Sequence, residues 1–141
     1  MSTFRTSRPL RFGDCDPSGI AYFPSYLDIL VGVVEELFEA AGNSWPEMVA
    51  TRRIGTPTVR LDLTFAKPGF HGDRLDFTVR VKRIGRSSMD LDHAVSANSE
   101  LLWSARQTLV ATSLETHRSC PWPDDFRAAF APYMENDDDD T

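Results

Sequence analysis

The amino-acid sequence predicts an α+β domain in which one long helix packs against one curved antiparallel sheet. Apolar residues first recur at helical spacing, and later in the chain they alternate with polar residues at strand spacing. Short turn sequences separate the strand-like segments, as expected for antiparallel neighbours. A chain of 141 residues corresponds to one domain with one core.

The helix is predicted from Pro24 to Ala41. Pro24 suits the first helical position, where its missing N–H needs no partner, and Gly42 is expected to end the helix in a left-handed conformation. Ile29 and Val31 widen the apolar surface beyond one stripe, so the helix is expected to be wrapped by a sheet or to meet a second subunit. The stripe itself consists of Tyr26, Leu30, Val33, Val34, Leu37, Phe38 and Ala41.

Five strands are predicted from alternating apolar residues and the turn signals between them. The first precedes the helix and the other four follow it as a meander. Their approximate ranges are 8–12, 59–65, 75–81, 89–95 and 101–114, with a short helix predicted within 123–133.

Charge and composition exclude several classes of function. The formal net charge is −6, and Asp137 to Asp140 contribute four of these charges, which leaves −2 for the rest of the chain. A nearly neutral body argues against nucleic-acid binding. We therefore expect a single domain over residues 1–134 and an acidic, disordered tail over residues 135–141.

The sequence contains no candidate membrane segment, because Asp28, Glu35 and Glu36 interrupt its longest apolar stretch. The first eight residues are polar and basic, unlike a secretory signal. We expect a cytoplasmic protein in which Cys15 and Cys120 are reduced thiols.

A carboxylate lies just ahead of the predicted helix start. Pro17, Ser18 and Gly19 form a turn after Asp16, and the helix is expected to begin near Phe23. The free amides and positive dipole end of the helix would face the loop that holds Asp16. A base or nucleophile would then lie beside an oxyanion-stabilising group, although Asp16 in such a loop can also simply cap a turn.

The segment 12–20, together with Pro24 and Tyr26, resembles the active-site segment of the hotdog-fold acyl-CoA thioesterase family, and of the 4-hydroxybenzoyl-CoA thioesterases in particular. The likeness covers about residues 8–115 and is weaker after the helix. It implies a hotdog fold, in which the sheet wraps the helix, and a homo-oligomer, a dimer of dimers, with sites between subunits. It implies an acyl-CoA substrate and no cofactor beyond the coenzyme A of that substrate.

The resemblance also implies roles for single residues. Asp16 would be the base or nucleophile, and the backbone N–H of Phe23 would polarise the thioester carbonyl. At the position where the 4-hydroxybenzoyl-CoA thioesterases bind a phenolic hydroxyl with an aspartate, this chain has Val31. Because an apolar side chain cannot pair a buried hydroxyl, we expect an apolar acyl group, aromatic or of short to medium length.

Further substrate contacts are expected around the catalytic pair and at two later turns. The residues close to Asp16 and Phe23 in sequence are Gly19, Tyr22 and Tyr26. Thr56 and Pro57 stand at the beginning of the next strand, where they either line the site or simply start the strand. Cationic and hydroxyl groups at a hairpin could bind coenzyme A phosphates, although such groups more often form an ordinary charged turn. These are Arg83, Arg86, Ser87 and Ser88.

Other candidate chemistries are weaker. Asp14 and Asp16 look like a phosphatase pair, but the required buried strand is missing and we expect Asp14 to be structural. Cys15 lacks companions for nucleophilic catalysis. The three histidines have no partners at metal-ligand spacing, so no metal site is expected.

Three alternative functions remain open. One is non-catalytic binding of acyl-CoA or acyl carrier protein. A hotdog hydratase would need a catalytic histidine that the loop lacks. The Tol-Pal-associated thioesterase subgroup has a histidine where this chain has Phe23.

Overall fold

The computed structural model describes residues 3–134 and contains a five-stranded antiparallel sheet with a long helix on one face. The sheet has the strand order β1-β4-β5-β6-β3, and β2 and β7 form a separate two-stranded sheet. The predicted tail, 135–141, lies outside the described residues. In chain order the elements are β1 (Phe4–Pro9), α1 (Phe23–Ala40), α2 (Trp45–Glu47), β2 (Ile54–Gly55), β3 (Thr58–Phe65), β4 (Arg74–Ile84), β5 (Ser88–Ala97), β6 (Glu100–Val110), β7 (Thr112–Ser113) and α3 (Phe126–Phe130).

Helix α1 confirms the predicted amphipathic helix. Pro24 occupies its first turn, and Gly42 follows its end with φ of +75°, as expected for a left-handed stop. The side chains at helical spacing face the sheet and are almost fully buried. They are Tyr26, Leu30, Val33, Val34, Leu37 and Phe38.

The long strands and helix α1 run between two ends of the domain, which we call the loop end and the hairpin end. At the loop end, β1 finishes opposite the start of β4, with Pro9 paired to Arg74, and α1 begins nearby. At the hairpin end, β4 finishes and β5 begins, with Ile84 paired to Met89. The 11 residues of β4 separate these ends by about 33 Å. The 18 residues of α1 cover about 27 Å in the same direction.

Strand β3 is an edge strand and is more exposed than its alternating pattern predicts. Val59 is 60% exposed and Phe65 is 51% exposed. Only β6 pairs with β3 among residues 3–134, and its other edge has no neighbour there. The apolar face predicted to be half-buried is therefore largely uncovered in the single chain.

The predicted N-terminal strand was displaced from its real position. Strand β1 occupies Phe4–Pro9 instead of 8–12, because residues 4–9 pair continuously with β4. The backbone N–H of Arg11 donates to the Asp14 carboxylate at 3.0 Å, and a short helical turn over Phe12–Asp14 replaces the strand.

The predicted final strand, 101–114, is split in two. Strand β6 ends at Val110, and the N–H of Ala111 still donates to the carbonyl of Ser87 at 2.7 Å, in register with the β5–β6 ladder. The chain then forms β7, which pairs with β2. The sequence pattern predicted neither β2 nor the helical turns of α2 and Met48–Arg52 that precede it.

Candidate active site

The loop before α1 folds back on itself as a small hairpin. The N–H of Tyr22 donates to the carbonyl of Asp14, and the N–H of Asp16 donates to the carbonyl of Ile20, each at 2.9 Å. The turn is closed by the N–H of Gly19, which donates to the carbonyl of Asp16 at 2.9 Å. Gly19 has φ of +84°, a conformation that glycine adopts without strain. The hairpin thereby holds Asp16 at its turn, a few residues before the helix.

The loop is anchored to the turn that precedes β4. The N–H of His71 donates to the carbonyl of Gly19 at 2.8 Å, and the N–H of Ala21 donates to the carbonyl of Gly69 at 2.9 Å. Ile20 and Phe70 form an antiparallel bridge between these bonds. Hydrogen bonds to the body of the domain therefore fix the backbone on which Asp16 sits.

The Asp16 carboxylate is held on one oxygen and open on the other. Oδ1 accepts the backbone N–H of Ser18 at 2.8 Å and also the Ser18 hydroxyl. Oδ2 accepts no hydrogen bond from any residue within 3–134. The Ser18 hydroxyl, followed by the Ser18 N–H, lowers the pKa of Asp16 below its ordinary value, so this half-buried carboxyl is ionised at neutral pH.

The start of α1 offers an amide donor. Tyr22 precedes the helix without a side-chain cap, Pro24 has no N–H, and the N–H of Ser25 donates to the carbonyl of Tyr22 at 2.8 Å. Within residues 3–134, the N–H of Phe23 has no acceptor. An unpaired amide at a helix N-terminus is suited to stabilise a developing negative charge.

Aromatic side chains continue from this helix start toward β3. Phe23 is 58% exposed, and its ring lies 6.3 Å from that of Phe65 in an edge-on arrangement. Beneath them Tyr26 is buried and stacks on Phe65 at 6.4 Å, and burial raises the pKa of its hydroxyl. Val31 is exposed, further along α1. The exposed surface at the start of α1 is therefore aromatic.

The structure divides the predicted site residues into two groups. The loop end holds Asp16, Gly19, Tyr22, Phe23 and Tyr26, with Val31 midway along the helix. The remaining predicted residues lie at the hairpin end, about 30 Å away by the length of β4. These are Thr56, Pro57, Arg83, Arg86, Ser87 and Ser88.

The hairpin-end residues surround a second, smaller feature. Arg86 and Ser87 line a shallow cavity of about 180 Å³ together with Ser119, Cys120 and Pro121. The carbonyl of Pro57 accepts the N–H of Val110 at 3.1 Å, which ties the start of β3 to this end of the sheet. A cationic, hydroxyl-lined cavity has the chemistry to bind phosphate.

Sequence reasoning treated Ser18 only as a turn former and missed its contact with Asp16. An Asp-Pro-Ser-Gly turn carries a usable signal, because an aspartate commonly accepts the N–H two residues later. It also missed Phe65 as a neighbour of the helix start. That contact joins residues far apart in sequence and has no local signal.

The other candidate chemistries have structural explanations here. Burial, with the carboxylates of Asp14, Asp16 and Asp73 nearby, raises the pKa of Cys15, so its sulfur is a protonated thiol at neutral pH. Asp14 accepts the Arg11 N–H, which fits a structural role. Over residues 3–134, no three His, Cys, Asp or Glu side chains are grouped to hold a metal ion, and no helix is both long and apolar enough to span a membrane.

Comparisons with known proteins identify relatives of this arrangement. A family model described as the thioesterase-like superfamily matches residues 10–130. A 1,4-dihydroxy-2-naphthoyl-CoA hydrolase of Synechococcus elongatus is 26% identical over 125 residues, covering 88% of this chain and 92% of the relative. The 4-hydroxybenzoyl-CoA thioesterase of Pseudomonas sp. strain CBS-3 is 35% identical over 89 residues, covering 62% and 63%.

A solved structure agrees with these relatives. It is an aspartate-to-asparagine mutant of 4-hydroxybenzoyl-CoA thioesterase complexed with 4-hydroxybenzoyl-CoA. It superposes with a TM-score of 0.85 at 25% identity, covering 92% of this chain and 99% of the other. The predicted fold class and the predicted likeness to hotdog-fold thioesterases are confirmed.

Proposed function

The chain belongs to the thioesterase-like superfamily, and from this premise we propose that it is a thioester hydrolase that cleaves an acyl-CoA to the free acid and coenzyme A. The observation that carries the proposal is the pairing of a fixed, ionised Asp16 with the unpaired N–H of Phe23 at the adjoining helix start. Thioester hydrolysis needs a base or nucleophile and a donor for the oxyanion, and these two groups supply both.

Asp16 would act in one of two ways. As a general base it takes a proton from water, whose oxygen bonds to the carbonyl carbon. As a nucleophile its free Oδ2 bonds to that carbon, and water later hydrolyses the acyl-aspartyl anhydride. In both routes the carbonyl oxygen becomes negative beside the Phe23 N–H, the carbon–sulfur bond breaks, and the coenzyme A thiolate takes up a proton.

The relatives support the choice of substrate class and of an aspartate. The two named relatives act on aromatic acyl-CoA thioesters by their names. An aspartate-to-asparagine mutant of one such enzyme was crystallised with its intact thioester. Our proposal differs in the acyl group, because exposed Val31 offers no hydrogen bond to a ring hydroxyl. We propose an apolar aromatic or short-to-medium acyl chain.

A complete site requires a second copy of the chain. If the free edges of two β3 strands pair antiparallel about a two-fold axis, the Thr58 end of one copy meets the Phe65 end of the other. Thr56 and Pro57 of one copy then approach the Asp16 loop of the other copy. Arg83 and Arg86, which lie at the same end of the sheet, are brought toward that loop as well. We propose that the phosphates of coenzyme A are bound by Arg83, Arg86, Ser87 and Ser88 from the second copy.

The exposed apolar residues of β3 give this pairing an energetic reason. Val59 and Phe65 would be covered by the second copy, and an unpaired strand edge would gain hydrogen bonds. We further propose that two such dimers assemble as a homotetramer in the cytoplasm, with no cofactor beyond the substrate's own coenzyme A.

The test is release of free coenzyme A from a panel of benzoyl-, phenylacetyl-, 4-hydroxybenzoyl- and aliphatic CoA thioesters. Asp16→Asn should fold normally and lose about 10²- to 10⁴-fold in kcat/KM on the best substrate. Asp14→Asn is the matched control, since it neutralises a carboxylate of the same loop and should keep most activity. Binding of acyl-CoA without any release would instead indicate a non-catalytic binding protein.

A further inference from the structure

The side chain of Ser18 is arranged to control the Asp16 carboxylate. Its backbone N–H donates to Oδ1 at 2.8 Å, and its hydroxyl donates to the same oxygen. Both donors come from one residue in the turn, and Oδ2 is left without a donor among residues 3–134. One oxygen is therefore bound and the other is available to the substrate.

The position of Asp16 makes this contact important. Asp16 lies in a loop and is half-buried, outside the hydrophobic core, so core packing does not fix its carboxylate. Its hydrogen bonds to Ser18 are what hold the carboxylate in one orientation. Hydrogen bonds to an ionised group are stronger than those between neutral groups, so two of them restrict the carboxylate effectively.

The backbone and side-chain bonds can be separated by substitution. The backbone N–H bond belongs to the turn formed by Pro17, Ser18 and Gly19, and any residue except proline at position 18 retains the donor. The hydroxyl bond requires serine or threonine. Alanine at this position would remove one of the two donors without changing the turn.

We propose that Ser18 is a positioning residue for catalysis, whose hydroxyl binds Oδ1 of Asp16 and so presents Oδ2 to the thioester carbonyl. The proposal rests on the proposed role of Asp16. It assigns to Ser18 a function beyond turn formation, and it names Oδ2 as the reacting atom.

The ionisation of Asp16 is consistent with this role. The Ser18 hydroxyl is the largest cause of the lowered pKa of Asp16, ahead of the Ser18 N–H; burial opposes them, and the backbone N–H of Ile20 has a smaller lowering effect. Removing the hydroxyl should therefore raise this pKa. The other titratable or charged groups on the loop and on the turn packed against it are Arg11, Asp14, Cys15, His71 and Asp73.

The experiment compares Ser18→Ala with Ser18→Thr on the best acyl-CoA substrate across pH. Ser18→Ala should lower kcat on the order of tenfold with little change in KM, and should move the acid limb of kcat/KM to higher pH. Ser18→Thr should restore both, because threonine keeps the hydroxyl. An unchanged kcat and acid limb in Ser18→Ala would overturn the proposal.

A double mutant separates positioning from a structural effect. In an Asp16→Asn background, Ser18→Ala should cause little further loss of rate, because the group that it positions is already disabled. An equal additional loss would mean that Ser18 acts through the stability of the loop, and would refute the proposal. If Asp16→Asn itself keeps full activity, the proposed function fails first, and the two failures are distinguishable.

Discussion

The imidazole Nε2 of His93 lies 2.8 Å from Oε1 of Gln107 in the interior of the sheet. Nε2 of Gln107 donates in turn to the hydroxyl of Thr58 at 2.8 Å, so hydrogen bonds connect the core to the edge strand β3. His93 is 3% exposed, and its Nδ1 has no partner within residues 3–134. Burial lowers the pKa of His93 to about 4, against a smaller opposing effect of Gln107. His93 is therefore neutral at physiological pH and donates from Nε2.

This histidine should make stability depend on pH. His93 binds a proton near pH 6.5 in the unfolded chain and near pH 4 in the folded chain. Its contribution to the free energy of unfolding is therefore complete above pH 6.5 and is lost as the pH falls toward 4. The loss should reach about 2 kcal/mol at pH 5. Urea unfolding at pH 7.5 and at pH 5 measures this difference in the free energy of unfolding.

Two variants isolate the contribution of His93. His93→Gln does not titrate but can still donate to Gln107, so its stability should change less between the two pH values. His117→Asn, at an exposed position with φ of +60°, is the control and should behave like wild type. If wild type and His93→Gln lost equal stability, another group would be responsible.

Val31→Asp should shift substrate preference toward 4-hydroxybenzoyl-CoA. A carboxylate at this exposed helix position can accept the ring hydroxyl, whereas valine leaves the hydroxyl unpaired. Wild type should favour benzoyl-CoA by ~10–100-fold. The measurement is kcat/KM for both substrates in both proteins, with Val31→Leu as the apolar control. A wild-type preference for the hydroxylated ring would mean that position 31 does not face it.

Val59→Lys should weaken the proposed dimer and lower activity together. Val59 is 60% exposed on the free edge strand, and a lysine there would bring an unpaired charge into the interface, beside the Phe65 end of the second copy. Sedimentation velocity should detect a shift toward monomer. Leu101→Lys, at a residue 46% exposed in the β5–β6 hairpin, should not cause this shift. A fully active wild-type monomer would refute the two-copy site.

Arg86→Ala should raise KM for acyl-CoA by about tenfold while leaving kcat nearly unchanged. The expected reason is loss of a phosphate contact in the hairpin-end cavity. The corresponding acyl-pantetheine, which lacks the nucleotide, should be hydrolysed equally by both proteins. Arg5→Ala, an exposed arginine on β1, controls for general loss of positive charge. Equal effects on both substrates would place the nucleotide elsewhere.

Local pattern predicted the secondary elements well where one physical signal dominated. The spacing of Leu30, Val33 and Val34 predicted α1, and Gly42 predicted its end. The sequence pattern gave the wrong strand bounds where pairing with another strand decided which residues form the strand. Residues 4–9 carry little alternation, yet they form a strand because β4 offers them a partner. Likewise the predicted final strand is divided after Val110 because the next strand residues, Thr112 and Ser113, pair with β2 and not with β5.

The same division applies to the site. The turn that holds Asp16 and the helix start at Phe23 could be predicted from sequence, because both are local structures whose signals lie within a few residues. The contact of Phe23 with Phe65 and the approach of Gln107 to Thr58 join distant segments, and no local signal encodes them.

The sequence by itself determined the α+β class, the long helix and the carboxylate ahead of it, because these depend on periodicity and turn chemistry within short segments. Tertiary structure alone decided that Asp16 and Arg86 lie at opposite ends of the sheet, since the length of β4 separates them. It also left β3 as an uncovered edge, because exposure depends on which strands become neighbours and not on the composition of any one of them.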